Sequence, residues 1–427
     1  MLDIRQIREH AEQLQKVANR KGITISIESL LTLEQERLAC LKECEQLRAQ
    51  RNRWTEELKH SQGGDTGSLA QEVNRIRAQV RELNEKLRPL EAARQRLDSR
   101  CKELMLLVPN LVSADTPDGS SDHDNVELRR VGAVPSFAFP AKDHVELGSS
   151  LKLFDLPKGV AAAGSRGYYL TGAGVYLHRA VQQLAIDLLV SKGFTLLEVP
   201  LLVRESALIH TGFFPEGKSQ TYSIEGEDHW LIGTAEVPLV SYHSGDWLDV
   251  SSPICLAAAS VCFRKEAGSA GRDVRGLYRV HQFSKVEQVV ICRADLSVSE
   301  EMHEKITAHA EELLQLLELP YRVVQVCVGD MSAKNYKQYD IETWMPSREQ
   351  YGETHSSSQL LDYQARRSNL RYKDEHGKTR YCYTLNNTAV ASPRILIPLL
   401  ENHQREDGSV YIPEALRPYL YEWTEIR

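Results

Sequence analysis

The chain of 427 residues lacks several features that would assign it to a class at once. No stretch approaches the ~20 consecutive apolar residues that a membrane-spanning helix needs. The N-terminal stretch MLDIRQIREH lacks the apolar core of a signal peptide, and its acidic residues argue against a transit peptide. We therefore expect a cytoplasmic protein without a membrane partner.

The eight cysteines form no Cys-x-x-Cys pair and no Cys/His cluster, so we expect neither zinc nor a disulfide framework. Cys40 and Cys44 are four residues apart on a predicted helix. Because no second pair accompanies them, a packed helix face is favoured over a metal site. The sequence also contains no Gly-x-Gly-x-x-Gly and no Walker A motif, so neither a Rossmann nor a P-loop nucleotide site is indicated.

Positive charge is not in excess: the formal net charge is −7, which excludes a basic field over the whole molecule. Screening, however, confines the effect of each charge to about 10 Å, so a local basic stripe can still bind phosphate. Binding of a nucleic acid must therefore be judged segment by segment.

Glycine is absent from residues 27–107 except in the cluster HSQGGDTGS (60–68), which predicts two long helices joined by a turn. The apolar residues of the second helix follow heptad spacing: Val73, Ile76, Val80, Leu83, Leu87, Leu90 and Leu97. Those of the first helix follow it more loosely: Leu33, Cys40, Cys44, Leu47, Trp54 and Leu58. We expect an antiparallel hairpin with arms of roughly 45 Å, kinked at Pro89.

The second helix also carries a row of arginines at its predicted exposed positions: Arg75, Arg77, Arg81, Arg88, Arg94, Arg96 and Arg100. From this segment alone two interpretations stay open. The arginines either belong to a solvated coiled-coil face with interspersed glutamates, or they bind a nucleic acid.

The pattern changes after VPNLVSADTPDGSSDHD (108–124), a stretch rich in Pro, Gly, Ser and Asp that is typical of a linker. Helices are predicted at 175–193, 297–318 and 391–404, and an interrupted strand at 194–203. Further short apolar runs that predict strands lie at 229–232, 254–263, 278–292 and 321–328. Strands in sequence with helices beside them indicate an α+β fold around an antiparallel sheet.

The stretch FRKEAGSAGRDVRGLYRVHQFSKVE (263–287) places an unusual number of charges beside apolar runs. With 278–290 as a strand, the period of two puts one mainly ionic row on one face: Arg279, His281, Phe283, Lys285 and Glu287. The loop before this strand has room to cover a ligand. One interpretation is a solvent-facing surface. The other, which the central aromatic favours, is a site for a planar anionic ligand, with arginines on phosphate or carboxylate and glutamates on an ammonium or Mg²⁺.

This stretch resembles motif 2 of class II aminoacyl-tRNA synthetases, in the version of the seryl-tRNA synthetase family. GFTLLEVPLLV (193–203) resembles motif 1, and GTAEVPL (233–239) resembles the family's serine-binding TxE loop. ETHSSSQLLDYQARR (353–367) resembles E-[IV]-S-S-C-S-N-C-x-D-F-Q-A-R-R, and residues 393–420 resemble motif 3 with the C-terminal end. The N-terminus and the helical hairpin match as well, so the resemblance covers essentially the whole chain.

The resemblance implies an α+β protein with a tRNA-binding N-terminal domain and arm at 1–110 and a class II catalytic domain at 111–427. The family makes seryl-adenylate from L-serine and ATP with Mg²⁺, and transfers serine to the 3′ end of tRNA(Ser), and to tRNA(Sec) where one exists. It is dimeric, so a homodimer is implied, and its ordinary bacterial members use no zinc. The arm would grip tRNA, which favours the nucleic-acid interpretation of the arginine row.

The resemblance also implies the ATP-binding residues, which are Arg264, Lys265, Glu266, Arg279, Val280, His281, Gln282, Phe283, Glu353, Thr354, His355, Ser356 and Arg394. In this set Arg264 would hold the α-phosphate and the serine carboxylate. Glu266 would contact the adenine amino group, and Phe283 would stack on the adenine ring. Arg279 and His281 would lie along the triphosphate, and Arg394 would clamp the γ-phosphate.

Two smaller implied sets overlap with the ATP site. Glu353 and Ser356 would ligate Mg²⁺, and the implied catalytic residues are Arg264, Glu353 and Arg394. The implied serine-binding residues are Thr234, Ala235, Glu236, Arg264, Glu287 and Thr388.

The sequence departs from the family pattern around the same site. Where motif 3 normally reads N-G-S-G-L-A-V-G-R, this chain has NNTAVASPR (386–394), so Asn387 and Pro393 replace glycines and Thr388 replaces a serine. His355 stands for a serine and Gln359 for an asparagine. We interpret these changes as an altered pocket with retained catalysis, as in a specialised second synthetase. Two alternatives stay open: a paralogue that binds tRNA but has lost serine activation, and an enzyme that passes serine to another acceptor, such as a carrier protein.

Overall fold

A computed structural model describes residues 1–60, 67–268 and 275–427, without the side chains of 67–70 and 72. The turn predicted at 60–68 and the loop predicted to cover a ligand lie largely outside the described residues. The chain divides into two compact units. The N-terminal unit comprises residues 3–18 and 23–108, and the C-terminal unit comprises residues 1–2, 19–22 and 109–427.

The described part of the N-terminal unit is helical: α1 (Ile4–Glu9), α2 (Ala11–Arg20), α3 (Ile27–His60) and α4 (Gly67–Leu107). The two long helices α3 and α4 pack against each other, which confirms the predicted hairpin. The heptad residues Ile76, Leu83 and Leu87 are buried, as are Cys40 and Cys44 on the facing helix. The seam therefore follows the apolar periodicity that the sequence predicts.

The helix α4 continues through Pro89, although proline lacks the N–H that a helix interior uses. The bend predicted at Pro89 stays a prediction. The arginines on α4 are exposed at positions 75, 77, 81, 88, 96 and 100, while Arg94 is half-buried and lies 4.0 Å from Asp98. A row of cations thus lines the outer side of the helix.

The helices of the C-terminal unit are α5 (His144–Ser150), α6 (Leu156–Ala163), α7 (Ala173–Ser191), α8 (Glu205–His210), α9 (Glu236–Ser241), α10 (Leu296–Leu316), α11 (Tyr363–Ser368) and α12 (Leu396–Asn402). Its strands are β1 (Val126–Val131), β2 (Phe154–Asp155), β3 (Tyr169–Leu170), β4 (Thr195–Leu196), β5 (Leu202–Val203), β6 (Trp230–Leu231), β7 (Ile254–Phe263), β8 (Gln282–Cys292), β9 (Tyr321–Gln325), β10 (Lys337–Met345), β11 (Gln350–Leu361), β12 (Arg371–Lys373), β13 (Thr379–Tyr381), β14 (Tyr383–Ser392), β15 (Val410–Tyr411) and β16 (Glu425–Ile426).

A sheet of eight of these strands organises the unit, in the order β1-β9-β10-β11-β14-β8-β7-β4. Neighbours are antiparallel except β4 and β7, which are parallel. Apolar side chains of β8 and β14 pack with those of α7, α10 and α12 in one buried cluster. This confirms the predicted α+β class, with a mainly antiparallel sheet flanked by helices.

Two predicted elements have different bounds. The strand predicted at 278–290 begins only at Gln282, because its partner β7 ends at Phe263, which pairs with Gln282. The helix predicted at 391–404 begins only at Leu396, because Ala391 and Ser392 still pair with β8 as part of β14. No described helix has both the length and the apolar character needed to cross a bilayer.

Candidate active site

A cavity of about 750 Å³ opens above the centre of the sheet in the C-terminal unit. Its floor is built by side chains that alternate along three adjacent strands: Phe283, Lys285 and Glu287 on β8, Asn386 and Thr388 on β14, and Ser356 and Ser358 on β11. The strand register brings these rows together, since Thr388 pairs with Glu287 and Ser358 pairs with Asn386. The part of the ionic row that lies within β8 therefore faces the cavity.

At one end, Arg264, Glu266 and Arg279 are arranged around Phe283. The guanidinium carbon of Arg264 lies 5.2 Å from the centre of the Phe283 ring, and its Nε donates to the carbonyl of Gly233 at 3.2 Å. Nη1 of Arg279 donates to Oε2 of Glu266 at 2.8 Å. This end therefore combines an aromatic face with fixed charges of both signs, which suits a planar ligand that carries an anion.

Arg394 lies over Tyr278, with its guanidinium carbon 4.5 Å from the ring centre. Its Nε donates to the carbonyl of Tyr278 at 3.0 Å, and its Nη1 donates to the carbonyl of Glu353 at 3.1 Å. Nη1 also lies 3.6 Å from Oε2 of Glu353. Since both residues line the cavity, a cation and a carboxylate stand side by side at its mouth.

The opposite part of the cavity, which we call the Glu236 end, contains Thr234, Glu236, Glu287, Asn386 and Thr388. The carboxylate of Glu236 is 3% exposed and accepts hydrogen bonds from Lys334, Gln364 and Asn386. Oε1 of Glu236 accepts from all three donors, so this oxygen has no capacity for a further hydrogen bond.

Glu287 is 1% exposed, and its Oε2 lies 2.5 Å from Nζ of Lys285. Burial raises the pKa of Glu287, an effect that Lys285 partly offsets. Burial likewise lowers the pKa of Lys334, which Glu236 partly offsets. Each carboxylate of this end thus has its own lysine, and a bound ammonium would add to an already paired set of charges.

Most of the residues implied for ATP or serine line this one cavity: Thr234, Glu236, Arg264, Glu266, Arg279, Val280, Phe283, Glu287, Glu353, Thr354, Ser356, Thr388 and Arg394. The others lie beside it: Ala235, Lys265, His281, Gln282 and His355. Nζ of Lys265 lies over the Tyr222 ring, and His281 contacts the carbonyl of Arg264 at 2.9 Å. The sequence pattern thus identified the cavity but not every side chain that faces it.

Among the residues implied for ATP binding, His355 departs most clearly from the implied arrangement, because its side chain does not line the cavity. It is 1% exposed and lies between Ser356 and Thr354 on β11, with Nδ1 2.8 Å from Oγ1 of Thr354. Because Ser356 and Ser358 face the cavity, the period of two turns His355 toward the other face of the sheet. The replacement of a serine by His355 therefore changes the packing of the sheet rather than the lining of the cavity.

Two of the other departures also point away from the cavity. Asn387 donates to the carbonyl of Ile306 on α10, and Gln359 donates to Oγ of Ser299 at 2.8 Å. Pro393 and Thr388, by contrast, line the cavity. The altered motif 3 thus changes both the cavity wall and the helix packing behind it.

Sequence reasoning missed Lys334, Asn335, Gln338 and Asn386, which also line the cavity. Asn386 lies in the motif 3 stretch, where its alternation with Thr388 could have identified it. The other three come from the connection before β10 and from its beginning. Nothing in the local sequence of that segment signals a site.

A carboxylate-rich corner lies beside Glu353. Asp340 is buried and accepts from Nε2 of Gln338 at 2.9 Å. Burial and the nearby Glu353 carboxylate raise the pKa of Asp340 well above its usual range. Two carboxylates and the Ser356 hydroxyl so close together are oxygen donors that suit a hard divalent cation.

The comparisons with known proteins agree with this geometry. Residues 1–112 match the family described as the seryl-tRNA synthetase N-terminal domain, and residues 220–403 match the class II tRNA synthetase core domain (G, H, P, S and T). A serine–tRNA ligase of Deinococcus radiodurans is 44% identical over 98% of this chain and 97% of its own length. One of Rubrobacter xylanophilus is 43% identical over 98% of both chains.

Among solved structures, the seryl-tRNA synthetase of Pyrococcus horikoshii complexed with ATP superposes with a TM-score of 0.90. It is 36% identical, and the match covers 100% of this chain and 99% of that one. Similarity of this extent in both sequence and fold includes the hairpin as well as the sheet. The chain therefore belongs to the seryl-tRNA synthetase family, the class II serine–tRNA ligases.

Proposed function

We propose that the protein activates L-serine with ATP to seryl-adenylate and transfers the seryl group to the 3′ end of tRNA(Ser), and of tRNA(Sec) where one is present. The observation that carries this proposal is the pairing, in one cavity, of an arginine–aromatic end with a buried carboxylate end. Arg264 and Phe283 suit a nucleotide, and Glu236 and Glu287 suit a small amino acid with an ammonium and a hydroxyl.

In the first step a serine carboxylate oxygen attacks the α-phosphorus, the bond to the β-phosphate oxygen breaks, and pyrophosphate leaves. This chemistry needs positioning and charge stabilisation more than a covalent intermediate on the enzyme. Arg264 would orient the carboxylate and stabilise the α-phosphate, while Phe283 stacks on the adenine and Glu266 accepts from its amino group. Arg279 and Arg394 would hold the β- and γ-phosphates by charge-assisted hydrogen bonds.

The donor set beside the phosphate end fits Mg²⁺, since Asp340, Glu353 and Ser356 supply hard oxygen ligands, and we propose Glu353 and Ser356 as its protein ligands. When bound there, Mg²⁺ would neutralise phosphate charge. The chain's own part is to keep Glu353 in place, which Arg394 and the hydroxyl of Tyr278 do by bonding its main-chain carbonyl.

At the Glu236 end, Glu287 would take the serine ammonium, because both oxygens of Glu236 already accept hydrogen bonds, whereas Glu287 is paired with Lys285 through Oε2. Thr234 and Thr388 would close the space around the side chain. A pocket that bonds a hydroxyl can strongly reject the analogue that lacks it, whereas rejection of threonine rests on steric exclusion.

The remaining parts of the proposal concern assembly. Residues 1–110 form a tRNA-binding domain whose α3–α4 arm grips tRNA through the arginines of α4, and residues 111–427 form the catalytic domain of a homodimer in the cytoplasm. The exposed arginine row supports the first point, because such contacts are largely to phosphate and are salt-sensitive. The alternative of a paralogue without serine activation is not favoured, since its ionic residues would be the first to be lost and all of them remain.

Serine-dependent exchange of pyrophosphate into ATP tests the activation step, and acylation of tRNA(Ser) tests the transfer. Absence of exchange with the pure protein and Mg²⁺ would contradict the proposal. Deletion of residues 30–105 is expected to abolish tRNA charging while sparing exchange. If charging survives the deletion, the arm does not have the proposed role.

A further inference from the structure

The segment between β9 and β10 contributes a buried carboxamide to the cavity wall, that of Asn335. This residue is 2% exposed and lines the cavity. Its Nδ2 donates to Oε1 of Gln338 at 2.7 Å and to Oγ of Ser358 at 3.0 Å. Its Oδ1 has no hydrogen-bond partner among the described residues.

The orientation of this carboxamide follows from its neighbour. Nε2 of Gln338 donates to Oδ1 of Asp340 at 2.9 Å and to Oγ of Ser356 at 3.1 Å, so the carbonyl of Gln338 must face Asn335. A flipped Asn335 would set two carbonyl oxygens against each other. Oδ1 of Asn335 is therefore the atom left without a partner.

Buried acceptors without partners are uncommon and call for an explanation. In the described part of the chain, the other buried amide oxygens without a hydrogen-bond partner, those of Gln359, Asn387 and Asn402, do not line the cavity. Oε2 of Glu287 has no hydrogen-bond partner either and does line it, but this oxygen lies 2.5 Å from Nζ of Lys285 in an ion pair. Among the described residues, Asn335 therefore has the one buried, unpaired amide oxygen that belongs to a residue of the cavity wall, and a donor on a bound ligand is the partner we expect for it.

Asn335 belongs to the Glu236 end of the cavity. Ser358, which accepts from Asn335, pairs in the sheet with Asn386, and Asn386 donates to Glu236 at 2.9 Å. The neighbouring residue Lys334 bonds both oxygens of Glu236. Asn335 thus lies next to residues that bond the carboxylate of Glu236, on both of these routes.

We propose that Asn335 determines specificity by accepting a hydrogen bond from the side-chain hydroxyl of the bound amino acid. This inference rests on the proposed function and deepens it. An ammonium is better matched by the charged carboxylate of Glu287, which leaves the neutral amide oxygen to the neutral hydroxyl. Binding of alanine would leave Oδ1 unpaired, so the site discriminates against the amino acid that lacks the hydroxyl.

The test compares Asn335→Ala with Asn402→Ala in pyrophosphate exchange with L-serine and with L-alanine. Asn402 is the matched control because its Nδ2 also makes two hydrogen bonds, its Oδ1 is also unpaired, and it lies outside the cavity. In Asn335→Ala, kcat/KM for serine is expected to fall about 10- to 100-fold while that for alanine is unchanged. Asn402→Ala is expected to keep the serine-to-alanine ratio of the wild type.

An equal loss for both amino acids in Asn335→Ala, or no loss, would overturn the inference. Thermal unfolding establishes that each variant is folded. If Asn335→Ala is not, Asn335→Ser takes its place, since the serine Oγ would lie near the position of the asparagine Cγ, too short to replace Oδ1, so the same loss is expected.

A binding measurement separates this inference from the proposed function. Calorimetry with the non-hydrolysable seryl and alanyl sulfamoyl-adenosines gives the affinity ratio directly, and Asn335→Ala is expected to reduce that ratio about 10- to 100-fold. If the wild type shows no exchange with serine, the proposed function fails and the affinity ratio alone decides. Equal affinity of the wild type for the two analogues would then refute the role of Asn335.

Discussion

Nζ of Lys334 lies 2.6 Å from Oε1 and 2.7 Å from Oε2 of Glu236, which makes the two residues a bidentate buried ion pair. Lys334 is 7% exposed and Glu236 is 3% exposed, and the ammonium also lies 4.1 Å from the centre of the Phe213 ring. Removing one partner of such a pair leaves an uncompensated buried charge, which typically costs 3–5 kcal/mol. Lys334 is thus a positioning residue for Glu236.

Substitution Lys334→Met is expected to raise KM for serine about tenfold or more, with a smaller change in kcat and in KM for ATP. The reason is that Glu236 loses the cation that fixes its carboxylate in the proposed amino-acid subsite. Steady-state rates of pyrophosphate exchange, measured as a function of serine and of ATP concentration, give kcat and the two KM values separately. A proportional change in both KM values would indicate general damage to the fold instead.

The matched control is Lys337→Met, which removes a lysine three residues away that pairs with Asp115 at 2.5 Å and does not line the cavity. It is expected to leave KM for serine unchanged.

Gly276 lies against His144 and directly precedes Leu277, a residue of the cavity wall. Its φ is +85°, and a Cβ there would lie 2.1 Å from Nε2 of His144, the atom that accepts from the N–H of Leu277. His144 cannot move aside freely, because Glu401 holds its Nδ1 at 2.8 Å. Gly276→Ala is therefore expected to lower the free energy of unfolding by roughly 2–4 kcal/mol, from backbone strain plus the displaced imidazole.

Chemical denaturation measures this cost, and Gly226→Ala is the control. Gly226 has a similar φ of +81°, but no described atom lies within 4 Å of its added Cβ. Gly226→Ala should lower the free energy of unfolding by only about 1 kcal/mol, which is the cost of the left-handed backbone alone. Equal losses at the two positions would show that the contact with His144 does not matter.

Arg394 is expected to act on ATP alone. Replacement Arg394→Lys keeps the charge but loses the planar fork, and KM for ATP should rise about 10- to 100-fold while KM for serine changes less than about twofold. Arg348→Lys is the comparison, because the Arg348 guanidinium also lies over the Tyr278 ring, at 4.1 Å, yet the residue does not line the cavity. If both variants lose the same affinity for ATP, stacking on Tyr278 is the cause rather than contact with phosphate.

The sequence was informative where local periodicity decides the structure. Heptad spacing predicted the packed faces of α3 and α4, and the period of two placed Phe283, Lys285 and Glu287 on one face, as observed. The sequence was uninformative where the structure of a segment depends on a partner strand that is distant in the chain. Residues 278–281 have a strand-like pattern, but they form no ladder because β7 ends at Phe263.

The missed side chains have the same cause. Lys334 and Asn335 enter the cavity only because the segment before β10 folds back over the sheet, and no local pattern records that contact. His355 could have been assigned correctly, since the alternation that turns Ser356 toward the cavity turns its neighbour away. The family motif aligns His355 with a position of the ATP site, but it does not show which face of the sheet the side chain occupies.

Two buried histidines give a prediction for acid conditions. His303 is 2% exposed with Nε2 3.1 Å from the carbonyl of Ser357, and burial lowers the pKa of both His303 and His355 to about 4. The unfolded chain binds protons near pH 6.5, whereas these folded imidazoles stay neutral until about pH 4. Stability is therefore fully present above about pH 6.5 and is lost as pH falls toward 4.

Each of these histidines contributes up to roughly 3 kcal/mol to that loss. In His303→Gln the amide can still donate to the Ser357 carbonyl, but the group no longer titrates, so the free energy of unfolding should depend less steeply on pH between 6.5 and 4. Urea titrations at several pH values measure the slope. His376→Gln, which removes an exposed imidazole, serves as the surface control, and a His303→Gln slope equal to that of the wild type would contradict the assignment.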